Sequence, residues 1–265
     1  MVIRVQYFPF FPKPLRQARV VIAAAALVGL GACSAPADLD PNDGIYDPYE
    51  TQNRKVHAFN RGLDRSLVRP AARGYSSVLP DEIEASVSNF ATNLDQPSVF
   101  VNSLLQGDLR GAGLSGLRFL MNTTAGMGGF IDAATEFNVP QHSTDFGETL
   151  SVWGAGEGAY VELPFLGPST TRDATGRFVD LFTNPLGYVL DTPESSYGTA
   201  ASIASGLGNR GRFSDTVDSI LYESADSYAQ LRLIYLQSRR FELGETETGD
   251  STDPYADPYE DPYAE

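Results

Sequence analysis

Few residues in this 265-residue chain have the type and spacing for covalent chemistry. Cys33 is the only cysteine, so it can form neither an internal disulfide nor a cysteine-based metal site. The two histidines, His57 and His142, lack the HExxH spacing of a zinc centre. No GxSxG nucleophile elbow occurs. Nothing in the residue order supports a serine–histidine hydrolase built from distant parts. Gly206-Leu207-Gly208-Asn209-Arg210-Gly211 spells GxGxxG but follows no convincing strand, so it reads as a loop and not a nucleotide site. No metal and no cofactor is expected. The remaining candidates are polar groups at helical spacing and a glycine-rich stretch. Asn53, His57 and Asn60 can share one polar helix face. Gly154, Gly156 and Gly158 alternate with Ala155 and Glu157, giving either a mobile segment or a tight turn with positive φ. Arg172 carries a planar fork suited to phosphate, although the adjacent Asp173 favours an ion pair.

The surroundings of Cys33 give its chemistry. Residues 1–19 hold Arg4, Lys13, Arg16 and Arg19 and no acid; an apolar run from Val20 to Leu30 follows. A basic region, a short apolar region and small residues describe a secretory signal peptide over 1–32. The run is too short to span a bilayer, which needs about 20 apolar residues. Leu30-Gly31-Ala32-Cys33 resembles the bacterial lipobox, which implies cleavage before Cys33 and acylation of its thiol and new amino group. Several acyl chains anchor firmly, at about 0.8 kcal/mol per buried methylene. Ser34, in place of an aspartate that would retain the protein at the inner membrane, favours the outer one.

The mature chain, Cys33 to Glu265, is long enough for one large domain or two small ones. Removing the four leader cations leaves 15 Lys and Arg against 34 Asp and Glu, a balance of −19. That excludes a nucleic-acid binder, which needs clustered cations, and bulk attraction to anionic lipid. No segment after the leader reads as a transmembrane helix.

Residues 33–46 form the acylated cysteine and a Pro/Gly/Asp/Ala tether. Asp47-Pro48 signals a helix start, and the helix runs to Val68 with Val56, Phe59, Leu63 and Leu67 on one stripe; Arg69-Pro70 ends it. Glu50 and Arg54 can pair four residues apart. A second helix is expected over 80–91, a third from Pro97 to Gly107, and a fourth over 108–121. Residues 125–130 form a turn. The pieces 150–153 and 159–163 alternate, as a small hairpin or an extended loop. A long final helix is expected over 213–241. From 244 to 265 the chain has no basic residue and repeats Asp-Pro-Tyr, composition that cannot bury a core. The expected fold class is mainly α, with many short amphipathic helices.

Several motifs occur together in order: "DPYETQNRKVHAFNRGLD" at 47–64, "VRPAARGY" at 68–75 and "VSNFATNLDQPSVFVNSLLQGD" at 87–108. They are followed by "RFLMNTTAGMGGFIDAA" at 118–134, "DFGETLSVWGAGEGAYVELPFLGPSTTRDATG" at 145–176 and "ADSYAQLRLIYLQSRR" at 225–240. The set resembles the VacJ/MlaA family of outer-membrane lipoproteins over 47–243. Ser227 departs from the proline of many relatives. The resemblance implies a ring-like assembly of short amphipathic helices with a central channel, lying in the inner leaflet of the outer membrane. Apolar faces would turn outward to acyl chains and polar faces inward. Such a protein takes mislocalised phospholipid from the outer leaflet, passes it to a periplasmic carrier of MlaC type and associates with trimeric porins. It catalyses no reaction. An adaptor that scaffolds porins or the carrier without passing lipid is the alternative. The resemblance makes Asn53, Phe59 and Asn60 channel candidates, Gly154, Gly156 and Gly158 gate candidates, and Arg172 a head-group candidate. Phe59 as core and the asparagines as backbone partners remain open beside those roles. Trp153, Tyr160 and Phe165 are either interfacial aromatics or core.

Overall fold

The computed structural model describes residues 45–189 and 196–245. The signal segment, Cys33, the tether up to residue 44 and the tail from residue 246 lie outside them. The described chain is mainly α with one small antiparallel hairpin.

The first helix, α1 (Glu50–Leu63), does not end at Pro70 as expected. A wide turn of π type over Asp64–Val68 carries it directly into α2 (Arg69–Val78). Proline has no N–H for the helical ladder, and the wide turn just before it absorbs the mismatch. Asp47 does not cap α1 either. Its carboxylate accepts from Asn53 Nδ2 at 2.9 Å and pairs with Arg232 Nη1 at 2.8 Å. The expected break at Pro97 is also absent: α3 runs unbroken over Asp81–Gln106 with Pro97 inside it. Gly107, at φ 77°, closes it in the left-handed cap that glycine favours. Asp108 then caps α4 (Leu109–Thr124) by accepting from Gly111 N.

A turn at Met127–Gly129, α5 (Ala133–Glu136) and α6 (Phe146–Val152) lead to the hairpin. Residues 150–152 are therefore helical, and the partner of β1 (Tyr160–Leu163) is β2 (Gly167–Thr170), with Tyr160 opposite Thr170 and Leu163 opposite Gly167. Then follow α7 (Thr171–Thr183), α8 (Leu186–Val189) and α9 (Tyr197–Arg212). The GxGxxG stretch thus lies inside α9, not in a loop. The expected long final helix is three pieces: α10 (Ser214–Asp218), a second wide turn over Ser219–Glu223, and α11 (Ser227–Glu242). Asp226 forces the break, because its side chain caps α11 by accepting from Tyr228 N and Ala229 N.

α3 packs between α4 and α9, and α9 also lies on α2. The apolar core is small: Ile45, Tyr160, Tyr228 and Leu236, with Tyr235 against it. Ile45 is 5 % exposed, so this residue, within what the sequence suggests is tether, belongs to the folded part.

The helices α3 and α4 are polarised the wrong way for a protein that faces water. Asn93, Gln96, Ser98, Asn102 and Ser103 are buried on α3, and Ser115, Arg118 and Asn122 on α4. Ile83, Phe100, Leu104 and Leu105 on α3 are exposed, as are Leu109, Leu117 and Leu120 on α4. Buried polar groups must be bonded to avoid a cost of about 1–3 kcal/mol each. Asn102 accordingly donates to Asp180 Oδ1 at 3.0 Å, and Arg118 reaches Asp132 at 2.7 Å. No helix among the described residues is long and apolar enough to cross a membrane.

Candidate functional site

The polar face of α1 meets the hairpin. Asn53 is buried and uses both ends of its amide: Nδ2 donates to Tyr160 O at 3.1 Å, and Oδ1 accepts from Glu162 N at 3.0 Å. Two turns on, Asn60 repeats the pattern. Its Nδ2 donates to Leu163 O at 3.0 Å and its Oδ1 accepts from Phe165 N at 2.9 Å. The seven-residue spacing brings both amides to one face, where they act as a substitute edge strand for β1. Of the two open readings for these asparagines, backbone partner is the one the geometry displays.

Phe59 is 48 % exposed and is not core. It meets Phe165, at the hairpin tip, edge to face at 5.3 Å. Phe165 is 72 % exposed and holds φ at 68°, unusual for a bulky residue. Tyr160 resolves as core, whereas Trp153 is exposed and donates from Nε1 to Leu105 O.

Gly154 and Gly158, at φ 88° and 73°, lie in the segment before β1 and not in the hairpin turn. A Cβ on Gly158 would sit 2.0 Å from Thr171 Oγ1, so glycine is required there. Gly156 shares the segment without a positive φ. The segment is tied down: Glu157 accepts from Arg240 Nε at 2.8 Å and Nη2 at 3.0 Å, and Ala155 N bonds Leu150 O.

Arg172 is 2 % exposed, and its fork lies on the Glu245 carboxylate, with Nη1 to Oε1 at 2.9 Å. It also donates to Ala155 O. This geometry gives the guanidinium an internal anion in the place of a lipid phosphate. Burial opposes ionisation of Glu245, but the bonds from Arg172 and Ser151 hold its carboxyl below the usual range. Glu245 therefore belongs with the folded part rather than the tail.

Sequence reasoning misses the partners of His57. Its Nε2 lies 2.9 Å from Ser227 Oγ and its Nδ1 3.4 Å from Glu162 Oε1. Glu162 also accepts from the Tyr160 hydroxyl at 2.7 Å. Burial, the Glu162 charge and that bond keep the Tyr160 phenol neutral far above its ordinary range. The available signal was an acid at an inward position of the alternating strand, two residues from a core tyrosine. A second network joins the wide turn after α1 to α9 and α10: Arg210 pairs with Asp64 at 2.8 Å and Asp218 at 2.6 Å. Arg69 also bonds Asp218. Although burial opposes it, these cations hold the Asp218 and Asp64 carboxyls below their ordinary range. Among the described residues no group of His, Cys, Asp and Glu is placed to hold a metal ion.

Fold and site together define a helical protein in which α3 and α4 bury polar side chains and expose apolar ones, and one hairpin is clamped to the first helix. A model of the MlaA lipoprotein family matches residues 45–242, and the chain belongs to that family. It is 35 % identical to the Escherichia coli intermembrane phospholipid transport system lipoprotein MlaA, over 91 % of this chain and 94 % of that one. The protein of the same name in Haemophilus influenzae is 30 % identical, over 88 % of this chain and 94 % of the other. A solved structure, described as the structural basis for maintenance of bacterial outer membrane lipid asymmetry, superposes with a TM-score of 0.64. It is 33 % identical and covers 74 % of this chain and 98 % of its own. The relatives are named as transport lipoproteins and not as enzymes.

Proposed function

We propose that this protein is an outer-membrane lipoprotein that withdraws mislocalised phospholipid from the outer leaflet and passes it to a periplasmic carrier of MlaC type. In this reading it is anchored through Cys33, lies in the inner leaflet and associates with trimeric porins. The observation that carries it is the inverted polarity of α3 and α4. Exposed Phe100, Leu104, Leu117 and Leu120 suit acyl chains, while Asn93, Gln96, Asn102 and Asn122 offer polar groups inside. A two-tailed lipid needs such a division: polar lining for the head group, apolar surroundings for the tails. Transport of this kind breaks no bond. The hairpin, held by Asn53 and Asn60 and preceded by Gly154, Gly156 and Gly158, is the gate in this reading.

The test is phosphatidylethanolamine on the cell surface, counted with a membrane-impermeant amine-reactive probe. A deletion strain should expose more of it; restoring the wild-type gene should reverse the rise, and Cys33→Ala should not. No rise in intact cells that normally make the protein would move the reading to a porin or carrier adaptor. Full activity of an unacylated Cys33→Ala protein would remove the anchor from the mechanism.

A further inference from the structure

Ser227, His57 and Glu162 come from α11, α1 and β1, and they meet in serine–imidazole–carboxylate order. Each is 5 % exposed. The partners select one tautomer of a neutral His57 beside an ionised Glu162. A Glu162 carboxylate holding the Tyr160 hydroxyl and Asn60 Nδ2 can only accept, so His57 Nδ1 carries hydrogen toward Oε1. In the neutral ring Nε2 is then the lone-pair nitrogen, and Ser227 Oγ, 2.9 Å away, is the group that donates to it. That tautomer is the one a general base requires. The ring is also held from the side by Tyr228, edge to face at 5.7 Å. The order continues outward. Arg61 Nη1 lies 3.5 Å from Ser227 Oγ, within reach of an oxyanion developing next to it. Beside the three residues opens a cleft of about 320 Å³, lined by Arg54, Ala58, Arg61, Ser224 and Asp226 as well as His57 and Ser227.

We propose that Ser227 is an acyl-accepting nucleophile, with His57 as its base and Glu162 as the positioning residue, acting on carboxylic esters small enough to enter this cleft. Ser227 Oγ adds to the ester carbonyl carbon while its proton passes to His57 Nε2. Arg61 faces the resulting oxyanion. Collapse breaks the carbon–oxygen bond, and the leaving alkoxide takes the proton from His57 as an alcohol. Water, deprotonated by His57, then cleaves the acyl-serine to a carboxylic acid and restores the hydroxyl. Glu162 lies on β1 of the hairpin that the transport reading makes the gate, so the two sites share an element; the serine adduct and the surface-lipid count are separate readouts, and failure of one leaves the other where it stands.

The experiment treats the full-length acylated protein in detergent with a fluorophosphonate and maps the adduct by mass spectrometry. One adduct per chain, on Ser227, is expected. His57→Gln should slow labelling by about 10²–10⁴-fold, the usual contribution of a general base. Glu162→Gln should slow it and alter its pH profile, since the ring would lose its fixed tautomer. p-Nitrophenyl acetate should be hydrolysed by the wild type and not by Ser227→Ala. The wild-type adduct is read before any variant is made, so misfolding of a variant cannot mask the result. No adduct on Ser227, or an adduct formed equally fast in a folded His57→Gln protein, overturns the proposal and leaves the three residues as a latch between helices.

Discussion

Asn60 shows how one side chain can hold a β-element. Its amide replaces two backbone partners, Leu163 O and Phe165 N, at the tip of a hairpin of only four residues per strand. Two strands alone are marginal in water, so the clamp matters. Asn60→Ala removes both of these side-chain bonds from the hairpin tip and should cost about 1–3 kcal/mol. Amide exchange over residues 160–170 should accelerate while α3 and α4 stay protected; unchanged exchange in the hairpin would sink the clamp. Asp226 gives a residue-scale prediction in pH. The bond from Arg54, at 2.8 Å, lowers its carboxyl to about 2. A lowered carboxyl stabilises the fold above its unfolded value and loses that contribution as pH falls through about 2. Both partners are more than two-fifths exposed, which limits the pair to about 0.2–1 kcal/mol. Asp226→Asn keeps a capping side chain but removes the charge. Urea midpoints should differ from wild type by that small amount near neutrality and converge near pH 2. A gap that persists below it would mean the cap, not the ion pair, was lost. The site is legible in part at this scale. The stripe of Asn53, His57 and Asn60 follows from spacing, but its partners in the hairpin and α11 lie more than 100 positions away and spacing cannot supply them.

α9 carries the GxGxxG letters for packing reasons, and the two glycines at its ends differ. Gly206 has open space where a Cβ would project. Gly211 does not: a Cβ there would meet Ser76 Oγ at 2.3 Å and Ala72 O at 3.1 Å, because α9 presses on α2. Gly206→Ala should stabilise the protein by up to about 1 kcal/mol, the helix preference of alanine over glycine. Gly211→Ala should destabilise it by about 1–3 kcal/mol through overpacking against backbone. Paired thermal melts decide this, and equal shifts for both substitutions would reject the packing account. The same logic explains which elements the sequence discloses. Local chemistry announces the caps at Asp108 and the acids opening α3, and those boundaries are close to the expected ones. Pro70 and Pro97 mislead because neither ends its helix: a wide turn precedes Pro70, and α3 runs on through Pro97. The long apolar periodicity over 213–241 is real on each piece, yet Asp226 caps mid-way and resets the chain. Of the two pieces expected as a hairpin or an extended loop, only 159–163 supplies a strand: 150–153 alternates as a strand would, but Asp145 caps a helix over Phe146–Val152.

Taken whole, the described part of the molecule is tied down at its first and its last residue. Ile45 enters the core beside Tyr160 and Leu236, and Tyr160 N bonds Tyr46 O. At the other end Glu245, two residues beyond α11's cap at Leu243, reaches Ser151 and Arg172. With so small an apolar core, charged ties of this kind carry a larger share of the cohesion. Arg172 is 1 % exposed in its side chain and Glu245 about a third, at 33 %. Removing Glu245 leaves the Arg172 guanidinium buried with only Ala155 O and the more distant Asp173, 3.9 Å away. A buried cation stripped of its carboxylate costs more than a surface pair returns. Two truncations one residue apart therefore separate fold from tail. Ending the chain at Glu245 removes only the acidic Asp-Pro-Tyr segment, 246–265, and should leave the thermal midpoint where it was. Ending it at Gly244 should cost about 1–3 kcal/mol, a fall of roughly 2–10 °C for a domain of this size. Glu245→Gln in the full chain should reproduce most of that fall, since it keeps the length and removes the charge. If both truncations melt together at the wild-type temperature, the Arg172–Glu245 tie contributes nothing and Arg172 is released for an outside anion. If both melt low, the tail itself packs on the domain.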